Sequence, residues 1–261
     1  MTDEFSKFII TNEIKFKYAK GMRDIIGNEI HPYHEIFFYI GGEAKFISEA
    51  GTEKLLPFTT VVIPKETFHC FVVSGNEKDY CRCVFNFENV SEIDEIIDKK
   101  MNGIFLTRDK NISALFMQLK QLTDTSLSKI EKDILLKSVF AQILVYIKEK
   151  EHHSFELHIH PITERIVEYI EKNIDKPLNI TVLAKELYMS ESHLAHIFKK
   201  DLHISVHKYI LEKRLVLANR KIKSSINPTQ AALECGFQDY SGFYKQYKKM
   251  FGTSPSKSKY K

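Results

Sequence analysis

A pattern of two short helices joined by a turn occurs twice in the C-terminal part of the chain, and it restricts the possible folds more than any other feature. In the first copy, Asn179 and Ser190 are typical helix N-cap residues, and each precedes apolar residues at helical spacing. In the second copy, Asn227 is followed by a proline that suits the first turn of a helix, and Asp239 is a suitable cap for the next helix. The segment between the copies, residues 205–224, has the apolar period of one long helix. We therefore predict an all-α domain with two helix-turn-helix units.

The second helix of each copy has an outward face of small, polar and basic residues. These are Ser192, Ala195, His196 and Lys199 in the first copy, and Tyr240, Ser241, Tyr244, Lys245 and Lys248 in the second. Such a helix can lie in the major groove of DNA, and two of them joined by a rigid helix can enter successive major-groove segments ~34 Å apart. Double-stranded DNA is therefore the expected partner.

The net charge of +4 is the sum of two unlike halves of the 261-residue chain. Residues 1–160 contain 20 Lys and Arg against 24 Asp and Glu, whereas residues 161–261 contain 18 against 10. A basic half that coincides with the paired helices favours a polyanionic ligand. The length favours two domains. We expect a sensing and dimerisation domain over residues 1–150, a linker over 151–160 and a DNA-binding domain over 161–261.

The basic half resembles the AraC/XylS family of transcriptional regulators. The resemblance lies in residues 232–243 (ALECGFQDYSGF) and 247–255 (YKKMFGTSP), with residues 190–200 and 209–218 matching the family's first unit and connecting helix. It implies a DNA-binding transcription regulator, most commonly an activator that works with RNA polymerase, in which the outward residues given above face the DNA. The chain departs from the family pattern at His203, where glycine is usual, at Val206, where proline is usual, and at Gly242, where an aromatic residue is common.

The first half of the chain begins with a β pattern and ends with a helical one. Residues 5–87 contain short β-branched and aromatic stretches separated by turn residues, which favours a sandwich or barrel. Apolar residues at helical spacing then predict two amphipathic helices over residues 112–122 and 134–147. Because their apolar surface must be covered, we predict a homodimer contact within residues 112–148.

Residues 29–42 and 63–69 resemble the two motifs of the cupin jelly roll, a fold used as a sensing domain in one AraC subgroup. Side chains alternate across a strand, so one face of the first motif carries carboxylate, imidazole and phenol groups. The residues expected to line an effector pocket are Glu29, His31, Tyr33, Glu35, Phe37, Tyr39 and His69, with Arg23 and Arg82 as cations that can pair with an anionic group. A carbohydrate is compatible with this lining. The expected fold class is α+β with two domains: an N-terminal cupin-like β jelly roll with two dimerisation helices, and a C-terminal all-α domain.

The same residues allow two other interpretations. Glu29, His31, Glu35 and His69 have the side chains of a metal site, in a metal sensor or in a metalloenzyme joined to a DNA-binding domain. Alternatively, they form a polar core without any ligand. Glu29 stands where a catalytic cupin has its first histidine, and we expect no metal, no cofactor, no catalytic residue and no enzymatic activity.

Several remaining features restrict the protein class. No run approaches the ~18 apolar residues of a membrane span, and the N-terminus lacks the layout of a secretory signal, so we expect a cytoplasmic protein without membrane contact. The four cysteines, Cys70, Cys81, Cys83 and Cys235, are too few for a disulfide scaffold, and we expect buried free thiols. The histidines of the linker, His152, His153, His158 and His160, lack a convincing ligand spacing, which favours a solvated linker over a metal site.

Overall fold

A computed structural model describes residues 5–11, 14–21, 29–88, 104–149 and 159–258. The described residues form two compact units. One contains those among residues 1–27 and 33–158, and the other contains those among residues 28–32 and 159–261. We refer to them as the N-terminal and C-terminal units.

The N-terminal unit contains two antiparallel sheets. Its strands are β1 (Phe5–Ile10), β2 (Ile14–Lys20), β3 (His34–Gly41), β4 (Glu43–Ser48), β5 (Gly51–Lys54), β6 (Thr59–Ile63), β7 (His69–Ser74), β8 (Cys81–Phe87) and β9 (Phe105–Thr107). The first sheet has the order β1-β2-β8-β3-β6-β9, and the second has the order β5-β4-β7. The β region predicted from the sequence is confirmed, whereas the short strand β9 and a 3₁₀ turn at Glu77–Asp79 were not predicted.

The alternation predicted for β3 separates two apolar cores. Phe37 and Tyr39 face the second sheet and pack with side chains such as Phe71 and Phe46. Ile36 and Phe38 point the opposite way, into a core shared with the helices that cover the outer face of the first sheet. One strand therefore contributes alternately to both faces of its sheet.

The helices that follow the strands are α1 (Lys110–Leu122) and α2 (Lys129–Glu149). Asp109 caps α1 by accepting hydrogen bonds from the backbone amides of Asn111 and Ile112. Ser128 and Glu131 form a capping box at the start of α2, in which each side chain accepts from the backbone amide of the other residue. Both predicted helices are confirmed, although each begins a few residues earlier than its apolar pattern.

Over residues 159–258, the C-terminal unit is helical apart from the turns that join the helices. Its helices are α3 (Pro161–Lys172), α4 (Ile180–Glu186), α5 (Glu191–Leu202), α6 (Val206–Lys223), α7 (Pro228–Glu234), α8 (Tyr240–Phe251) and α9 (Pro255–Ser258). We call α4 and α5 the first motif and α7 and α8 the second motif. The caps predicted at Asn179, Ser190, Asn227 and Asp239 are all present. The two helix-turn-helix units and the long helix between them are therefore confirmed.

The structure describes one of the four linker histidines, and it describes His203, where the family usually has glycine. His160 caps α3 by accepting from the backbone amide of Ile162, whereas His152, His153 and His158 lie outside the described residues. His203 ends α5 with a φ of 56°, in the left-handed region that explains why glycine is usual there.

Candidate DNA-binding surface and effector site

Helix α5, the second helix of the first motif, is fixed by its buried side. The Ser190 hydroxyl accepts a hydrogen bond from the backbone amide of His193 at 3.3 Å, which sets where the helix begins. Leu194 and Phe198 are fully buried, and the Phe198 ring packs edge-on against Tyr209 of α6 with centroids 5.3 Å apart. This packing leaves the predicted outward residues on the other side. Ser192, His196 and Lys199 are exposed and Ala195 is half-buried.

Helix α8 of the second motif is anchored in a similar way. The Asp239 carboxylate accepts from the backbone amides of Ser241 at 3.1 Å and Gly242 at 2.6 Å. A Cβ at residue 242 would lie 2.8 Å from the Asp239 carboxylate, so the departure from the family's aromatic residue leaves room for the cap. Phe243 and Tyr247 are fully buried. The outward residues Tyr240, Ser241, Tyr244, Lys245 and Lys248 are exposed.

Polar contacts fix α6 against the second motif. The Tyr247 hydroxyl donates to the Asn219 side-chain oxygen at 2.6 Å, and both side chains are buried. The Lys221 ammonium donates to the Glu234 carboxylate at 2.5 Å, which raises the pKa of Lys221 and lowers that of Glu234. Sequence reasoning missed Asn219. Its signal was a lone amide on the side of α6 that also carries Leu215, Ala218 and Ile222.

Two of the predicted effector residues, Glu35 and His69, lie close together and are buried in the N-terminal unit. The His69 Nε2 atom is 3.9 Å from Glu35 Oε1, and His69 Nδ1 lies 3.2 Å from the Thr67 carbonyl oxygen. His31 is buried and Glu29 is exposed, and both belong to the C-terminal unit. An imidazole beside a carboxylate suits a metal ion as well as the polar groups of an organic ligand.

The other predicted effector residues have different surroundings. Phe37 stacks on Phe71 with centroids 3.9 Å apart, within the core between the sheets. Tyr39 is also fully buried there, and its hydroxyl has no hydrogen-bond partner among the described residues. Burial raises the pKa of this phenol. Tyr33 is half-buried, and Arg23 lies outside the described residues.

The interior between the sheets also contains a cation. Arg82 is 8% exposed and stands opposite Tyr39 in the register of β3 and β8. Its guanidinium carbon lies 5.1 Å from the centre of the Tyr80 ring. Sequence reasoning missed Tyr80, because it precedes β8 and belongs to neither cupin-like motif. Buried phenol, guanidinium and imidazole groups among aromatic rings give this interior several hydrogen-bonding groups.

The four cysteines are free and buried, as predicted. Burial raises the pKa of Cys70 to about 12 and that of Cys235 to about 11. No helix in the described part of the chain has the length and apolar character needed to cross a membrane.

Comparisons with known proteins match the C-terminal unit and, for one relative, most of the chain. The family model described as a helix-turn-helix domain matches residues 183–259. Regulatory protein SoxS of Salmonella typhimurium is 30% identical over 96 residues, which are 36% of this chain and 90% of SoxS. The probable transcriptional regulator LumQ of Photobacterium leiognathi is 24% identical over 228 residues, which are 87% of this chain and 89% of LumQ.

A solved structure from Chromobacterium violaceum, described as a transcriptional regulator with an AraC-type DNA-binding domain, is also similar. It is 30% identical, with 38% of this chain and 90% of that chain covered and a TM-score of 0.36. The SoxS match covers nearly the whole of that regulator, and the LumQ match includes both halves of this chain. The chain therefore belongs to the AraC family of DNA-binding transcription regulators.

Proposed function

We propose that the protein recognises specific DNA sequences by placing α5 and α8 in successive segments of the major groove. The observation that carries this proposal is the matched burial of the two helices. Each buries an apolar or aromatic side and exposes the polar and basic side predicted from the sequence. Both helices are capped within the same compact unit, which favours a fixed presentation of the two outward faces.

The outward residues differ in what they offer to DNA. Lys199, Lys245 and Lys248 suit phosphate oxygens, because a lysine ammonium is a mobile point charge. His196, Ser241 and Tyr244 carry groups that form hydrogen bonds with base edges or phosphates, and Ala195 offers a methyl contact to thymine. The first motif therefore contributes fewer hydrogen bonds to bases than an arginine or glutamine at the same positions would.

The test begins with selection of binding sites by the full chain from a pool of random DNA duplexes. On the selected duplex, affinity should fall as salt concentration rises. Lys245→Ala should weaken binding and reduce the slope of log affinity against log salt by about 1 if Lys245 contacts a phosphate. Lys172→Ala is the control, because it removes the same charge from α3, where Lys172 pairs with Glu168. If the chain selects no duplex, or if the two variants bind alike, the proposal is wrong.

In the N-terminal unit we propose a binding site for a small organic effector in the interior between the sheets. The Tyr39 hydroxyl supports this site, because it is buried without a hydrogen-bond partner among the described residues. Leaving such a group unsatisfied costs ~1–3 kcal/mol, which a ligand that bonds to it would recover. Glu35 and His69 add polar groups, and the aromatic rings suit the apolar faces of a sugar. We propose a carbohydrate as the first ligand class to screen.

Thermal unfolding of the protein in the presence of candidate ligands tests the proposed effector site. A ligand present at ~100 times its dissociation constant stabilises the folded state by about 2.7 kcal/mol. Tyr39→Phe should reduce the stabilisation by the true effector, whereas Tyr188→Phe should not, since Tyr188 is 95% exposed in the C-terminal unit. An effector whose affinity is equal in wild type and Tyr39→Phe would place its site elsewhere.

A divalent metal ion is the second candidate effector, because the two cupin-like motifs carry the ligand side chains Glu29, His31, Glu35 and His69. Two imidazoles and two carboxylates are ligands that zinc, iron and manganese accept. Full-length protein purified without chelator should then contain about one metal ion per chain. His31→Ala and His69→Ala should abolish this content, and His193→Ala, at an exposed position of α5, should retain it. Wild-type protein without metal, and without uptake of added Zn²⁺ or Mn²⁺, would exclude this candidate.

We also propose that the protein is a homodimer through α2. Ile130, Ile134 and Val145 are 74%, 60% and 51% exposed, and exposed Ala141 completes a stripe with spacings of four, seven and four residues. At 100° per residue these positions lie on one face of the helix, as the residues between two paired helices do. Ile134→Asp should convert the dimer to a monomer in sedimentation experiments, whereas Gln142→Asp, outside the stripe, should not. A monomeric wild type would contradict this contact.

Transcription activation is the proposed outcome of DNA binding, with RNA polymerase as a further partner and the cytoplasm as the place of action. An effector changes DNA binding only if its affinity differs between the two functional states. In a reporter assay on the selected site, expression should rise with the protein and respond to the effector. Lower expression in the presence of the protein would instead identify a repressor.

A further inference from the structure

Arg214 lies near the middle of α6 and contacts the chain just before the first motif. Its Nε atom donates to the Ile174 carbonyl oxygen at 2.9 Å, and its Nη2 atom donates to the Lys176 carbonyl oxygen at 2.6 Å. Both carbonyls belong to the segment between α3 and α4. A planar guanidinium can make two such bonds in fixed directions, and this restricts where the segment lies against α6.

The same guanidinium also lies against the turn of the second motif. Gly236, which follows α7, has a φ of 79°. A Cβ at this residue would lie 2.9 Å from both Cζ and Nη2 of Arg214. The absence of a side chain therefore allows the turn to approach the guanidinium closely. One side chain on α6 is thus in contact with the segment that leads into the first motif and with the turn of the second motif.

The space around Arg214 is a cleft of about 610 Å³ within the C-terminal unit. Its walls include Ala195 and Lys199 of α5, Ile210 of α6 and Phe237 of the second turn. The region between the motifs is therefore not filled by side chains. With few packed atoms there, the polar contacts at its edge have a larger part in fixing the separation of the motifs.

We propose that Arg214 is a positioning residue that fixes the distance and angle between the two motifs, and thereby sets the spacing of major-groove segments that the protein accepts. This inference rests on the proposed DNA-binding mode. Inserting one base pair between two half-sites shifts the second by ~3.4 Å and rotates it by ~35°. A rigid protein cannot follow that change, whereas a protein with a loosened joint can.

The experiment measures the affinity of the full chain for three duplexes. One is the duplex that the wild-type chain selects from a random pool, and the others have one central base pair inserted or removed. Wild type should lose about tenfold or more in affinity on the altered duplexes. Arg214→Lys should bind the selected duplex more weakly and lose only about threefold on the altered ones. Lys213→Ala removes the neighbouring charge of α6. It should keep the wild-type ratio of the affinity for the selected duplex to the affinity for the altered ones.

The ratio of the affinities for the selected and the altered duplexes distinguishes a positioning role of Arg214 from a simple loss of folded protein. A lower folded fraction weakens binding to all three duplexes by one factor and leaves the ratio unchanged. Gly236→Ala provides a second variant, because its Cβ should displace the guanidinium and lower the ratio in the same way. The inference is overturned if both variants keep the wild-type ratio, or if wild type shows no spacing preference. Failure of wild type to select any duplex would instead overturn the proposed DNA-binding function.

Discussion

The hydrogen bond between Tyr247 and Asn219 joins the second recognition helix to α6, and Tyr247→Phe removes it with little change in shape. The Tyr247 hydroxyl donates to Asn219 Oδ1 at 2.6 Å, and the two side chains are 0% and 3% exposed. Tyr247 also packs on the rings of Phe243 and Phe251, with centroids 5.3 and 4.6 Å away. These ring contacts remain in the phenylalanine variant, so the change isolates the hydroxyl.

The expected cost follows from the burial of the acceptor. A hydrogen bond that water can replace contributes about 1 kcal/mol, whereas leaving a buried acceptor unsatisfied costs ~1–3 kcal/mol. Since Asn219 is almost inaccessible to water, we expect the Tyr247→Phe substitution to lower the free energy of unfolding of the C-terminal unit by about 2 kcal/mol. For a domain of this size, that loss corresponds to a lower midpoint of thermal unfolding by roughly 8–16 °C.

Scanning calorimetry of the full chain is the appropriate assay. The transition of the C-terminal unit is the one that bound DNA raises, because ligand binding stabilises the folded state. Tyr247→Phe should lower that transition and leave the other unchanged. Tyr244→Phe on the same helix is the control, since Tyr244 is 37% exposed and should change stability by less than ~0.5 kcal/mol. If both variants unfold at the wild-type temperature, the bond does not stabilise the unit.

Four further predictions concern other parts of the molecule. Burial raises the pKa of Cys70 to about 12 and that of Cys235 to about 11. The folded state therefore keeps protons that the unfolded thiols release, and the free energy of unfolding should fall as pH rises above ~8.5. The same thiols should resist a thiol reagent at pH ~8 in the native chain and react fully in denaturant, and rapid native labelling would contradict their burial. Tyr188→Asn should raise the free energy of unfolding by about 0.5–1 kcal/mol in a denaturant titration, because Tyr188 has a φ of 55° that asparagine tolerates better. Thr163→Val should lower it by about 2 kcal/mol, since the buried Thr163 hydroxyl donates to Asp201, and an unchanged midpoint would argue against that bond.

The sequence was most informative where structure depends on neighbouring residues. The caps at Ser190 and Asp239 were predictable because each involves a side chain and backbone amides two or three residues away. The two faces of β3 were predictable because the alternation of side chains is a local property of a strand. The outward residues of α5 and α8 follow from the helical period once the buried residues are known.

Contacts between distant segments could not be predicted in the same way. Asn219 and Tyr247 are 28 residues apart, and Arg214 reaches a carbonyl 40 residues away. Nothing in either local sequence specifies these partners, because they depend on how α6 packs against its neighbours. Strand β9 was missed for a related reason. Its three residues are too few to show a period, and its pairing with β6 defines it.

Footprinting of the full chain on the selected duplex tests the central claim, that two motifs occupy successive major-groove segments, most directly. Hydroxyl-radical cleavage and guanine N7 methylation report backbone and major-groove contacts respectively. We predict two protected clusters on one face of the duplex, centred about one helical turn apart, with methylation interference in both major-groove segments. Lys245→Ala should weaken one cluster and His196→Ala the other. A single cluster, or protection without major-groove interference, would contradict the account.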